Sequence, residues 1–140
     1  MSDINVDKIF NLFDAPKVDT IEDFKKHPIY FILMFKKILN NYSQFKSINI
    51  KSIKKLHPEL DEEDLEKANQ YISFTKAYQY IQKLDLTNDK HMFSLVHQKD
   101  DVLVTNLNMA LDYFVSVENY ENCAFIRDVL NKLDTNGNVS

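Results

Sequence analysis

The sequence has few of the residues that turn a chain sharply, with one glycine and three prolines in 140 residues. Tight β-hairpin turns and bulges use positive φ angles, which glycine adopts at the lowest cost. A β-sandwich or barrel, which needs many such turns, is therefore excluded. We predict an all-α fold, a compact bundle of five or six helices that ends in a helical hairpin.

Long apolar segments and paired cysteines are also missing. The longest apolar run, residues 29–35, is far shorter than the roughly 20 residues that a helix needs to cross a bilayer. The single cysteine, Cys123, excludes an internal disulfide and is typical of a reducing compartment. Residues 1–5 lack the positive and apolar regions of a secretory signal. These features predict a cytoplasmic protein with no membrane partner.

Apolar residues make up 44% of the chain, enough for a single domain over residues 1–140 to bury a core. Apolar spacing and capping residues predict a first helix from Ser2 or Asp3 to Phe13 and a short capped turn at Thr20. Further helices are predicted over residues 28–45, 48–56 and 61–84, with a helical turn over 91–97. Residues 28–45 are apolar on nearly every side, which predicts the central helix of the core. The predicted buried stripe of residues 61–84 consists of Leu65, Ala68, Tyr71, Ile72, Phe74, Tyr78 and Ile81.

The last third of the chain predicts two short amphipathic helices joined by a polar corner. Apolar residues three or four positions apart form one stripe before the corner and another after it: Leu103, Leu107, Ala110, Phe114 and Val117, then Cys123, Ile126, Leu130 and Leu133. Asn119 lies between them and is a predicted N-cap, because its side-chain oxygen can accept an amide of the next helical turn. Two facing stripes joined by a short turn make a helical hairpin.

This segment, residues 106–134, resembles the UVR motif, the helical hairpin of the UvrB and UvrC repair proteins and of some stress-response adaptors. The similarity is carried by Tyr120-Glu121, Cys123-Ala124, Arg127-Asp128 and Leu133. The chain departs from the motif at Cys123, where the family usually has alanine, and in a more apolar first helix. The family's hairpin is a docking element between proteins. The resemblance therefore implies a protein-binding corner, and we assign to it Glu118, Tyr120, Glu121, Arg127 and Asp128.

Arg127 is the only arginine in the chain, which has 17 lysine and arginine residues in total. The positions three and four residues away along its helix carry no acid, so it has no intrahelical ion pair, whereas Asp128 has Lys132 one turn on. Two uses remain open for the guanidinium group. It can clamp Glu118 or another acid across the hairpin, or it can be presented to a carboxylate of a partner.

Positive charge is concentrated in residues 24–58, which contain eight lysines and no acidic residue. Aromatic residues lie among these lysines, a combination that can bind nucleic acid through phosphate contacts and base stacking. The candidate nucleic-acid contacts are Lys46, Lys51, Lys54 and Lys55. In the alternative interpretation these lysines face solvent or the chain's own acidic half, which agrees with a sequence pI near 5.5.

The sequence contains no pattern that predicts catalysis or a cofactor. The histidines, His27, His57, His91 and His97, do not have the spacing of metal ligands. Cys123 lies on an apolar stripe, which predicts a buried structural residue. The acidic run of residues 61–64 lacks the alternating ligands and glycine of a calcium loop, and favours a helix start instead. We therefore expect no metal, no cofactor and no enzymatic activity.

The expected function is a non-enzymatic protein–protein interaction module, an adaptor or assembly component that binds another protein or itself. Lysine greatly outnumbers arginine, and asparagine and isoleucine are frequent, as AT-rich codons would produce. This bias suggests a phage or bacterial complex, located in the cytoplasm of a bacterial or infected cell or within a virion. The alternative is a nucleic-acid-associated regulator that uses the lysine-rich segment 24–58.

Overall fold

The computed structural model describes residues 20–137, with side chains for residues 20–135. In this range the chain forms six helices and no strand, which confirms the predicted all-α fold. They are α1 (Ile21–Phe24), α2 (Pro28–Leu56), α3 (Glu62–Ile81), α4 (Asp89–His97), α5 (Asp101–Ser116) and α6 (Tyr120–Gly137). The first helix predicted from Ser2 or Asp3 to Phe13 lies outside the described residues.

Two of the predicted helix boundaries are wrong. Residues 28–45 and 48–56 form one continuous helix of 29 residues, α2, instead of two. The polar stretch around Lys46 and Ser47 contains no proline or glycine, so nothing in the backbone interrupts the helix there. The predicted helical turn over 91–97 is a nine-residue helix, because Asn88 Oδ1 accepts hydrogen bonds from the amides of Lys90 and His91, at 2.9 and 3.1 Å.

Side-chain caps define where several helices begin. Thr20 Oγ1 accepts a hydrogen bond from the Asp23 amide at 3.1 Å, and Asn119 Oδ1 accepts one from the Asn122 amide at 3.2 Å, as the sequence predicts. Pro28 occupies the first position of α2, and the preceding His27 has extended backbone. Nδ1 of His27 accepts a hydrogen bond from the Ile29 amide at 3.1 Å. These caps satisfy amides that have no partner within their own helix.

The core lies between the first half of α2, the second half of α3, and helices α4, α5 and α6. Helix α2 packs most extensively on α3 and also contacts α4 and α5, while α5 and α6 pack on each other. Phe35 and Leu39 of α2 are fully inaccessible to solvent, which confirms this helix as the centre of the core. Phe74 of α3 stacks on Tyr113 of α5 with ring centroids 4.6 Å apart, so aromatic contacts join the α2–α3 pair to the final hairpin.

Helices α5 and α6 form the predicted hairpin. Most residues of the two predicted stripes are buried, including Leu107, Phe114 and Ile126. Val117 is not, because α5 ends at Ser116 and leaves this side chain 50% exposed. Leu130 is only partly buried, whereas its neighbour Val129, which the prediction left out, is fully inaccessible.

The turn between α5 and α6 has a left-handed residue, Glu118, with φ of 59°. The amide of Glu118 donates to the carbonyl of Val115, and the amide of Asn119 donates to the carbonyl of Phe114, at 3.0 and 2.9 Å. These two bonds are those of a Schellman motif, in which the left-handed position is usually glycine. The motif closes α5 and turns the chain directly into α6.

Asp100 connects the start of α5 to α2, and its charge should contribute to stability. Its carboxylate accepts hydrogen bonds from the Leu103 amide at 2.7 Å and from Lys36 Nζ at 2.7 Å. The Lys36 bond, reinforced by the Leu103 amide, holds the pKa of Asp100 below its ordinary value of 3.8. A carboxyl group whose pKa is lowered by folding stabilises the folded state above the ordinary value, and this contribution is lost as pH falls through the folded pKa.

We therefore expect Asp100→Ala to lower the free energy of unfolding by about 1 kcal/mol at neutral pH, mainly through the lost helix cap. Urea denaturation at a series of pH values measures this difference. It should shrink as pH falls below the ordinary pKa of 3.8 and through the lower pKa of the folded protein, where the Asp100 carboxylate becomes protonated. Asp101→Ala is the control, because that exposed neighbour caps nothing. A difference that grows as pH falls would contradict the assignment.

Candidate functional site

The five residues predicted for the protein-binding corner all lie on the surface at one end of the α5–α6 hairpin or along α6. Glu118, Tyr120, Glu121, Arg127 and Asp128 are exposed. Tyr120, Ala124 and Arg127 are spaced four and three residues apart, so they follow one stripe along α6. Tyr120 is 61% exposed, which leaves most of an aromatic ring in contact with water.

Arg127 makes no ion pair with any residue that the structure describes. Glu118 has no ion-pair partner within the described range either. The clamp across the hairpin, one of the two uses that the sequence left open for Arg127, is therefore not formed between described residues. The guanidinium group and the Glu118 carboxylate are both presented to solvent at this surface.

Packing under the corner holds it in place on α3. Tyr78 of α3 makes edge-on ring contacts with Phe114 of α5 and Phe125 of α6, at centroid distances of 5.4 and 6.0 Å. Burial raises the pKa of Tyr78 above its ordinary value, and the nearby Glu121 carboxylate raises it further. The Tyr78 hydroxyl therefore stays neutral beside Glu121. These ring contacts pack the hairpin that carries the exposed stripe against α3.

The four candidate nucleic-acid residues lie on a different part of the molecule, the end of α2. Residues 43–73, which comprise the end of α2, the connection and the start of α3, form a hairpin that we call the arm. Within the arm, all of which the structure describes, only Ile50 is buried. The arm therefore projects beyond the core.

On one side of the arm the lysines adjoin acidic residues. Lys46 and Glu62, Glu63 and Glu66 line a groove of about 380 Å³, in which Lys46 Nζ lies 5.5 Å from the centre of the Tyr42 ring. Lys51, Lys54 and Lys55 line a second depression together with Glu62, and Lys54 Nζ donates a hydrogen bond to the Leu60 carbonyl. The positive half of α2 thus lies beside the negative start of α3. This is the arrangement expected if the lysines face the chain's own acidic half instead of nucleic acid.

The other side of the arm carries apolar residues that the sequence placed in the core. A groove of about 410 Å³ runs between α2 and α3 there, lined by Ile38, Asn41, Tyr42, Phe45, Asn49, Asn69, Ile72, Ser73 and Lys76. Phe45 is 45% exposed and Ile72 is 60% exposed. Tyr71 and Ala68 of the predicted α3 stripe are also exposed, whereas Ala77, which it omitted, is buried. The prediction that this stripe is buried is wrong for the first half of α3, because the core does not extend along the arm.

The remaining candidate residues have structural positions. His27 is buried, and burial together with the nearby His91 lowers the pKa of its imidazole. Cys123 is fully buried in the core, as predicted. Within residues 20–135 no group of three or more histidine, cysteine, aspartate or glutamate side chains is placed to hold a metal ion. None of the helices in the part of the chain that the structure describes is both long and apolar enough to span a membrane.

Comparisons of the chain with protein-family models, with curated proteins and with solved structures found no match.

Proposed function

We propose that this protein is a non-enzymatic protein–protein interaction module, which docks a partner protein on the exposed stripe of α6 at the α5–α6 corner. The observation that carries the proposal is Arg127, an exposed arginine with no ion pair among the described residues, on the same stripe as the exposed Tyr120. Arginine and tyrosine are enriched among the residues that dominate binding energy at protein interfaces. A partner that fits this stripe has a carboxylate for the guanidinium fork and an apolar pocket for the ring.

The backbone of the corner supports the same proposal. A left-handed residue other than glycine costs roughly 1 to 2 kcal/mol, and Glu118 occupies such a position. Strained residues of this kind are concentrated at functional sites. The chain thus has an exposed carboxylate where glycine would be more stable. This carboxylate gives the partner-binding surface a negative group next to the positive Arg127 stripe.

The resemblance of residues 106–134 to the UVR motif agrees with a docking role for the hairpin. We propose that the protein acts as an adaptor or assembly component of a phage or bacterial complex, in the bacterial cytoplasm or within a virion. The hairpin is packed against α3 through Tyr78. The docking surface is accordingly part of the folded body.

The test uses variants whose effects on stability and on binding differ. Arg127→Ala should change the free energy of unfolding by less than about 0.5 kcal/mol, since the side chain is exposed. It should weaken binding to the partner by about tenfold or more. Glu118→Gly should stabilise the fold by about 1 kcal/mol while also weakening binding. Asp134→Ala, on the exposed far end of α6, is the matched control.

The measurement is quantitative mass spectrometry of proteins captured from the native source by the wild type and each variant, together with urea denaturation. Arg127→Lys separates the roles of charge and shape, because lysine keeps the charge and loses the bidentate fork. Unchanged capture by both Arg127→Ala and Glu118→Gly would remove the corner as the docking surface. Unfolding of Arg127→Ala would show that its guanidinium is an internal clamp.

The alternative function, a nucleic-acid-associated regulator, is favoured by Lys51 and Lys55, which are exposed and have no ion pair among the described residues. It predicts DNA or RNA binding that weakens steeply as salt rises and is lost when Lys51, Lys54 and Lys55 are changed to Glu. The protein-docking proposal predicts no such binding at low micromolar protein.

A further inference from the structure

The apolar side of the arm carries exposed apolar side chains that no described helix covers. Phe45, Ile48, Ser52 and Leu56 lie on one row of α2, because successive members are three or four residues apart. All of them except Ser52 are apolar. Ile72 lies across the groove on α3. Ile48 is 59% exposed and Leu56 is 77% exposed. Clustered exposed apolar side chains of this kind mark an interaction surface.

The charges that border this surface determine which partner fits it. At 100° per residue, Lys51 and Lys55 lie on the edge of α2 that borders the apolar row, and both also line the depression that contains Glu62. Asp64 lies on the corresponding edge of α3, which points away from α2, and Asp61, the N-cap of α3, lies at the same end of the arm. None of these four residues has an ion-pair partner among the described residues. The apolar surface is thus flanked by a positive edge on one helix and a negative edge on the other.

A second copy of the same arm provides opposite charges for both the positive edge of α2 and the negative edge of α3. When two arms face each other across a two-fold axis parallel to the arm, α2 of each copy lies over α3 of the other. The positive edge of each α2 then lies beside the negative edge of the other copy's α3. The two arms point in the same direction and end at the same height. A two-fold axis across the arm would instead set α2 against α2. That helix has no acidic residue, so no opposite charges could pair.

We propose that two copies of this chain associate through the apolar sides of their arms into a two-fold symmetric four-helix bundle. In this dimer Phe45 and Ile72 pack against the same residues of the second copy, and Lys51 and Lys55 pair with Asp61 and Asp64 of the partner subunit. The contact is isologous, since the same patch serves both subunits. Charges flanking an apolar seam set partner choice and orientation in the same way in coiled coils. This surface is separate from the α5–α6 corner, so the dimer and the proposed docking function can fail independently.

The first experiment measures the oligomeric state by sedimentation velocity up to about 100 μM protein, where even weak dimers are populated. We expect a reversible dimer whose dissociation constant rises about 30-fold or more in Phe45→Glu and in Ile72→Glu. Leu33→Glu is the matched control, because Leu33 is on α2 with 42% exposure but lies outside the arm. It should leave the dissociation constant within about twofold. Circular dichroism of each variant verifies that the monomer is folded.

The second experiment tests the orientation by exchanging charges. An acidic-arm variant carries Lys51→Glu and Lys55→Glu, and a basic-arm variant carries Asp61→Lys and Asp64→Lys. Each variant alone should dimerise about tenfold more weakly than the wild type, because like charges then face each other. An equimolar mixture should form heterodimers about as tight as the wild-type dimer.

Three results would overturn the proposal. They are a wild-type protein that stays monomeric at about 100 μM, a dimer that persists in Phe45→Glu, and folded charge variants that do not associate when mixed. A monomer that binds nucleic acid through Lys51 and Lys55 would assign this surface to the regulator function instead. Arg127→Ala should leave the dimer intact, which separates this test from that of the corner.

Discussion

Phe114→Ala should lower the free energy of unfolding by about 3 to 5 kcal/mol, the largest effect that we expect from a single substitution in this chain. The Phe114 side chain is 2% exposed and contacts the rings of Tyr78 and Tyr113 at centroid distances of 5.4 and 5.2 Å. Removing the ring takes away buried apolar surface and leaves a cavity where α3, α5 and α6 meet. The rigid helices around it can close that cavity only in part.

Chemical denaturation monitored by circular dichroism measures this loss. Phe93→Ala is the control, because Phe93 is 48% exposed and, among residues 20–135, stacks only on the exposed His97. It should cost less than about 1 kcal/mol, since little buried area is lost. Equal losses in the two variants would contradict the packing of the hairpin against α3.

Asn106→Leu should raise the free energy of unfolding, by about 1 to 3 kcal/mol. Asn106 lies on the buried stripe of α5 with 2% exposure, and its side-chain Nδ2 has no hydrogen-bond partner in the described part of the chain. A buried polar group without a partner loses its hydration and gains nothing in exchange, which costs about that much. Leucine branches at the same carbon, so it replaces the amide with apolar contacts.

Asn108→Leu is a control on the same helix. Asn108 is exposed, and its Nδ2 donates to the Val104 carbonyl at 3.0 Å. Both substitutions gain the same few tenths of a kcal/mol in helix propensity, so their difference isolates the buried amide. A loss of stability in Asn106→Leu that exceeds that of Asn108→Leu would show that the amide is needed in the core.

The two candidate surfaces differ in how far the sequence could predict them. The lack of an intrahelical acid for Arg127 follows from local spacing, but the sequence left open whether this side chain pairs across the hairpin or is exposed. The left-handed Glu118 could not be predicted, because glycine usually marks that position and the chain has none there. Phe45 and Ile72 have the apolar spacing of core residues. Only the position of the arm outside the bundle shows that they are exposed.

Local chemistry in the sequence was sufficient to determine the helical class, the α5–α6 hairpin and the caps at Thr20 and Asn119. These features depend on residues close together in the chain, through backbone turns, amide capping and a 3.6-residue period. The exposure of the arm and the burial of Val129 and Asn106 were decided by tertiary structure. Periodicity shows that a helix has an apolar face. Whether that face is buried depends on which other helices pack against it. That packing is determined by residues that are distant in the sequence.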